Sequence, residues 1–469
     1  MRAINLTLFA ALCLGCGAQL PKFKVIREWK YINFTWADEQ TYEQAETNGL
    51  YIPKNIVVSG LKHFENHYYI TLPRMRDGVP ATLARIPSGF TRSTAPLLEP
   101  YPSWSMNMQG DCNALQNVQN IEIDPRGYLW IIDGGRVETL NPKPIIKCPP
   151  KLIIYNIMNN IAMTTYTFPD EVASFNGSYL YDLVLDFSDG GYAYITDNSG
   201  KDPGLIVYSL KENNSWKIRH GPSMRADPNA AQFRVNEVTI SAPINIAGIA
   251  LGPKVQASDD KVKISEDREV YYAPLSSLRL FSLNTTVLKD VKSSNNGNEY
   301  QGAVMDLGEK PSQSVGMIMD NKANLYYGLL GTNAVAKWDT KMTFQGNQRP
   351  IARDPEYLQW VTSFTFDNGN LTVLVNKLNK FIYNGYNVNE ANFRLITAFI
   401  DSKSYLEDNF AYDTNEYSTK EPQASTSDQM YHNHMDHMAH INGNMDTPST
   451  ASKFFLSSVV VLVSLVLML

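Results

Sequence analysis

The chain has 469 residues, with 41 basic and 47 acidic side chains for a net charge of −6, and 11% of it is aromatic. The two signs are mixed and no basic cluster stands out, which argues against a nucleic-acid partner. Length alone allows two or three domains, but the repetition described below gathers most of the chain into one.

Residues 1–18 read as a secretory signal peptide: Met1 and Arg2, an apolar run over residues 4–14, then the small residues Gly15, Cys16, Gly17 and Ala18. The apolar run is too short to span a bilayer. The expectation is therefore an extracellular protein. Cleavage after residue 18 removes Cys13 and Cys16, leaving Cys112 and Cys148. In an oxidising compartment these two are expected to pair, the alternative being two buried thiols. A bond closing a loop of about 35 residues contributes roughly 3–4 kcal/mol on the chain-entropy model.

From residue 54 onward one pattern recurs: an apolar run, a turn rich in Asp, Asn or Gly, and an aromatic or β-branched run. Its clearest copy is NIEIDPRGYLWIIDGG at 120–135, with further copies at 182–198, 314–333 and 360–376. Looser copies at 54–72 and 245–275 stretch the turn, the second by a polar insertion. Each copy reads as a β-hairpin. Six hairpins at regular intervals predict an all-β, six-bladed β-propeller over residues 19–410, because radial packing leaves only short exposed edges. A long β-sandwich is the alternative. Sequons for N-glycosylation stand at Asn33, Asn176, Asn213, Asn284 and Asn370.

Beyond the repeats the composition changes. Residues 411–453 are polar, without aliphatic periodicity, and read as a disordered stalk. Within it His432, His434, His437 and His440 alternate with Met430, Met435, Met438 and Met445, a mixture of imidazole and thioether groups able to chelate copper or zinc. A solvated spacer is the plainer reading. Residues 454–469 carry no charge. Small residues at 442–444, a polar spacer and that tail follow the order of a glycosylphosphatidylinositol attachment signal. A spanning helix needs about 20 apolar residues. A lipid-anchored cell-surface protein is thus expected, with a spanning tail as the alternative.

Several stretches are longer than a generic hairpin requires. GDCNALQNVQNIEIDPRGYLWIIDGG, CPPKLIIYNI at 148–157, DLVLDFSDGGYAYITDNSG at 182–200 and GLLGTNAVAKWD at 328–339 resemble the insect Yellow and major royal jelly protein family. EWKYINFTWADEQ at 28–40 and NGLYIPKNIVV at 48–58 are similar to that family's opening. The resemblance runs in order over residues 25–400. It implies a secreted six-bladed propeller and roles in cuticle pigmentation, dopachrome conversion, nutritive storage or capture of biogenic amines in a central cavity.

A cavity on the propeller axis is expected to be lined by residues at strand ends: Asp133, Asp197, Asn198, Thr332, Asn333 and Asn376. Their oxygens suit a hard cation or the ammonium and hydroxyls of a catecholamine, with aromatic faces adding cation–π attraction. The plain structural alternative is that each caps a turn through backbone amides. His63, His67 and His220 are the only histidines of the folded part, and none sits in a recognisable catalytic pattern, so no catalytic residue is assigned. The expected function is binding of a small amine or catechol-derived ligand, or of a surface partner. A dopachrome-converting enzyme and a structural cuticle or eggshell glycoprotein are the alternatives.

Overall fold

The computed structural model describes residues 20–89, 93–254, 267–292 and 302–407. The leader, the His/Met stretch and the apolar tail lie outside these residues. Six four-stranded antiparallel sheets are present, each built outward from one of the six sequence repeats. Blade one comprises Leu61–Phe64, His67–Thr71, Leu83–Pro87 and Glu99–Pro100. Blade two comprises Val118–Ile123, Tyr128–Asp133, Lys151–Asn156 and Ile161–Thr167. Blade three runs from Leu180–Asp186 through Tyr192–Asp197 and Gly204–Ser209 to Asn214–Ile218.

Blade four holds Ile246–Leu251, Glu269–Pro274, Arg279–Asn284 and Met305–Glu309, and blade five Met317–Met319, Asn324–Leu329, Ala334–Asp339 and Arg349–Arg353. Blade six is composite. Trp360–Asp367, Asn370–Asn376 and Phe393–Phe399 are joined by Lys24–Trp29 from the other end of the chain. That pairing is antiparallel, and the Arg394 guanidinium donates to the Glu28 carboxylate at 2.7 Å across it. The last blade is thereby sewn to the first residues described.

The first strand of each blade faces the axis, and these six strands contact one another in a closed ring. Both faces of every sheet are covered, so the core is a set of apolar layers between neighbouring blades. Tyr69, Leu83, Ile121, Ile131 and Ile153 join blades one and two. Val335, Val361, Phe364 and Val373 join blades five and six. This is why inner strands read as nearly continuous apolar runs rather than alternating ones.

A β-bulge interrupts the inner strand in blades two, three, four and six, between Val118 and Ile121, Leu180 and Asp182, Ile246 and Gly248, and Val361 and Ser363. An extra residue bends the strand and re-aims a side chain. Here it leaves Gln119 and Asn120, Tyr181, Ala247 and Thr362 without ladder partners near one end of the axis. The Cys112–Cys148 disulfide is formed, across a sequence separation of 36. It ties the loop before the inner hairpin of blade two to the approach of its third strand, where the Lys151 ammonium also donates to the carbonyls of Cys112 and Ala114.

Two glycines set the distance between blades. A Cβ on Gly248 would lie 2.2 Å from the carbonyl oxygen of Val315, and one on Gly316 would lie 2.6 Å from that of Thr362. In both cases the obstacle is backbone of the next blade, which cannot rotate away. Gly316→Ala should therefore destabilise the propeller by at least the roughly 1–3 kcal/mol typical of overpacking. Chemical denaturation checks this, and a midpoint unchanged from wild type would refute the close approach.

Candidate functional site

The two ends of the axis differ. At the end where inner strands begin, a cavity of about 40 Å³ is walled by Val57, Tyr179, Tyr181, Trp360, Ile244 and Leu275, among others. A roof covers it. The helix Leu378–Asn384 contributes Leu378 and Ile382, and the two-stranded ribbon Gln232–Val235 with Val238–Ser241 contributes Ile240. The roof is pinned at several points: the Tyr383 hydroxyl donates to the Thr239 carbonyl at 2.6 Å, and Arg76 donates to the carbonyls of Phe381 and Ile382 at 3.1 Å each.

Of the six residues expected at the axis, Asn198 and Asn376 line this cavity. The Asn376 amide is fully used, donating to the Val58 carbonyl at 2.7 Å and accepting from the Leu378 N–H at 2.9 Å. It holds the start of the roof helix. Asn198 differs. It is 1% exposed, and neither its Oδ1 nor its Nδ2 has a hydrogen-bond partner in the protein. The indole Nε1 of Trp360, which lines the same cavity from blade six and is equally buried, is also unpartnered. Buried polar groups without partners are rare in native proteins and cost roughly 1–3 kcal/mol each.

Asp133 and Asp197 occupy corresponding places, ending the second strands of blades two and three, and neither is a wall residue of the cavity. The Asp133 carboxylate accepts from the N–H groups of Gln116 and Asn117 at 2.8 Å and of Gly135 at 3.0 Å, with the Lys151 ammonium at 3.6 Å. Asp197 accepts from the N–H groups of Tyr179 at 2.7 Å and Ser199 at 3.0 Å, and from the Lys217 ammonium at 2.7 Å. Both clamp the loops that enter the inner strands.

Thr332 and Asn333 form the turn between the second and third strands of blade five, and neither lines the cavity. Asn333 has φ of 49°, the left-handed conformation that asparagine tolerates in turns. The buried Oγ1 of Thr332 is without a partner. Trp360, Tyr179 and Tyr181 are the wall residues that strand-end reasoning passes over. Tyr181 sits on the bulge of blade three, where the alternating pattern slips, and only that slip in DLVLD's lead-in marks it.

At the opposite end a wide basin of about 940 Å³ opens among the hairpin turns of blades one, two, five and six. Lys62 and Glu122 pair across it at 2.8 Å, and His63 Nε2 lies 3.6 Å from an Asp367 oxygen that belongs to blade six. Tyr68 donates to the same carboxylate at 3.0 Å. His63 is thus enclosed, and burial holds its imidazole below the ordinary value, with the Asp367 charge opposing. His67 and His220 lie apart from it: His67 packs on Tyr69, while His220 Nδ1 meets the Ser223 hydroxyl at 2.7 Å. The chain returns over this end, where Tyr405 is buried and accepts from the Leu185 N–H at 2.9 Å.

Between the two ends lies Asp182. Its Oδ1 accepts from the Asn120 amide at 2.7 Å and from the Leu183 N–H at 2.9 Å. Burial pushes its carboxyl up to about 7; the Lys62 ammonium opposes this and the Glu122 charge adds to it. Between roughly pH 4, where an unfolded aspartate titrates, and this raised value, the folded chain holds a proton that the unfolded chain has lost. Stability must therefore fall as pH rises through that window. Asp182→Asn keeps the acceptor and removes the charge. Its melting temperature should exceed wild type at pH 8 by at least about 1 °C, the shift that roughly 1 kcal/mol gives a domain of this size, and match it at pH 4. Equal melting curves at both pH values would refute the assignment.

Among the described residues no group of His, Cys, Asp and Glu is placed to hold a metal ion, and no helix is long and apolar enough to cross a membrane. The four stalk histidines lie outside the described residues. Of the sequon asparagines, Asn176 and Asn213 are exposed, Asn284 caps the helix Thr285–Lys289 by accepting from the Thr286 N–H, and Asn370 opens the second strand of blade six.

The family model described as major royal jelly protein matches residues 116–405. Protein yellow of Drosophila erecta is 29% identical over 381 residues, 79% of this chain and 67% of that one. Protein yellow of Drosophila madeirensis is 28% identical over 407 residues, 84% and 69% of the two chains. A solved luciferin-regenerating enzyme aligns over 82% of this chain and 97% of its own at 11% identity and a TM-score of 0.43, too slight a likeness to bear on function. With the family model covering more than half of its length, the chain belongs to the major royal jelly protein family.

Proposed function

We propose that this chain is a secreted, Yellow-type propeller of a pigmentation or cuticle role that binds a small amine or catechol-derived molecule in the roofed axial cavity. Its C-terminal tail serves, on this reading, as a lipid-anchor signal that holds the propeller at the cell surface. One observation carries the ligand reading: Asn198 of blade three and the Trp360 indole of blade six are buried, unpartnered and line one cavity. Together they offer two kinds of donor and one acceptor inside an otherwise apolar enclosure. A catechol hydroxyl can accept from Trp360 Nε1 and donate to Asn198 Oδ1, and the faces of Tyr179 and Tyr181 suit an ammonium group.

The cavity's 40 Å³ holds water rather than a ring, since ligand sites usually measure roughly 300–1,000 Å³. Binding therefore requires the roof to lift. The helix Leu378–Asn384 is the element that would move. Besides the bonds of Asn376, Arg76 and Tyr383 it is anchored by the fully buried Phe381 and by Asn379, which donates to the Val235 carbonyl, so lifting it must break that packing.

Calorimetric titration of the secreted chain with dopamine, serotonin and dopa tests this reading, with dopachrome loss followed in parallel for the enzymatic alternative. Asn198→Leu is the informative variant, because it fills similar space without polar atoms. It should abolish binding while raising unfolding stability by roughly 1–3 kcal/mol, the cost of the unpartnered amide. No heat with any ligand for the wild-type chain would sink the binding reading, and turnover of dopachrome would replace it with the enzyme.

A further inference from the structure

Away from the axis, the loop before the helix Glu39–Thr47 carries a surface groove of about 460 Å³ lined by Asn33, Phe34, Trp36, Asp38, Tyr42 and Leu97. Its floor is a cluster of rings: Trp36 stacks on Trp104 with centroids 4.9 Å apart, and meets Tyr51 at 5.5 Å and Tyr42 at 6.0 Å. Trp36 and Tyr42 are only partly buried, and Leu97 is 51% exposed. An aromatic groove open to water is a binding surface in want of an occupant.

The occupant is indicated by the groove's own rim. Asn33, Phe34 and Thr35 form a glycosylation sequon, and its backbone is fixed: Leu98 N–H donates to the Asn33 carbonyl, Thr35 N–H donates to the Leu98 carbonyl, and Trp104 Nε1 donates to the Thr35 carbonyl. The Asn33 side chain is fixed as well. Its Oδ1 accepts from the Phe34 N–H at 2.8 Å and from the Trp36 indole at 2.9 Å. Those two bonds turn Nδ2, the atom to which a glycan attaches, away from the backbone while Trp36 is held beside it. A sugar on Nδ2 leaves along a set direction with an indole face within reach.

We propose that Asn33 carries an N-linked glycan whose proximal N-acetylglucosamine residues lie in this groove, their C–H faces packed on Trp36 and Tyr42. The groove's occupant is then part of the protein itself. Pyranose rings present an apolar face and a polar edge, which matches ring faces flanked by the carboxylates of Asp38 and Glu39. A seated glycan would cover the exposed rings and shield this edge of the propeller. The other sequons are placed differently: Asn213 is an exposed turn residue with φ of 48°, Asn176 lies in an exposed loop, and the Nδ2 groups of Asn284 and Asn370 donate to the Glu269 carboxylate and the Asp367 carbonyl.

The inference rests on passage through the secretory route, and Asn176 and Asn213 report on that separately. The full chain is secreted from insect cells, site occupancy is read by glycopeptide mass spectrometry, and glycans are released under native conditions with an amidase that cleaves at asparagine. Asn33 should be occupied and released about tenfold more slowly than Asn213, the factor given by about 1.4 kcal/mol of docking. Trp36→Ala and, separately, the milder Tyr42→Ala should each raise the Asn33 rate towards that of Asn213. Acrylamide quenching of tryptophan should rise on release from wild type. An empty Asn33 beside an occupied Asn213, or equal release rates, overturns the proposal; bare asparagines at all three positions overturn the secretory route with it.

Discussion

The structure depends on how closely six inner strands can approach one axis. Where blades four, five and six meet, the strands approach until backbone opposes backbone, at Gly248 against Val315 and Gly316 against Thr362. Water is excluded there, so every polar group on an inner strand needs a partner, and the nearest partners belong to the next blade. The consequences run round the ring. Lys62 of blade one meets Glu122 of blade two, Asn120 of blade two meets Asp182 of blade three, and Thr196 of blade three donates to the carbonyl of Ala247 in blade four. Blade six returns to blade one through Ser363, Thr365 and Asp367. Apolar layers hold the blades face to face, and this polar ring fixes their register.

That constraint explains what the sequence disclosed. Each of the six repeats corresponds to the inner hairpin of one blade, because those two strands are buried on both sides and their apolar runs are strongest. The outer strands left weaker traces. Ile161–Thr167 is half exposed along its length, and Arg349–Arg353 has one buried residue in five. Lys24–Trp29 could not be assigned to blade six from sequence at all, since its partner strand lies at the far end of the chain and nothing local encodes that pairing. The cysteine pair was legible because the expected leader removes two of four cysteines and leaves one plausible bond.

The axial residues were legible by position and less so by role. Of the strand-end residues, Asn198 and Asn376 line the axial cavity, whereas Asp133 and Asp197 sit beside it and clamp loops. What separates them is how many backbone N–H groups turn toward each side chain, a property of loop conformation rather than of residue type. Both aspartates are surrounded by amides and a lysine, whereas Asn198, next to Asp197 in the chain, has no partner within the protein. Tyr181 escaped because a bulge shifts the two-residue period there.

Asn198 and Trp360 deserve an energetic explanation. A leucine and a phenylalanine would fill similar volumes and leave no buried donor or acceptor unmet, so on stability alone the wall is built from the wrong residues. The same fold satisfies far harder cases: Arg74, wholly buried, donates to the carbonyls of Val79, Pro80, Asn107, Leu115 and Gln116. A scaffold that places five acceptors around one guanidinium is not short of means to satisfy an amide. Asn198 and Trp360 are among several unmet groups in the molecule, but these two line one cavity from opposite blades, beneath the helix Leu378–Asn384. Under the binding reading proposed above, that arrangement makes sense: the cost in the closed state is free energy that a polar ligand recovers on entering.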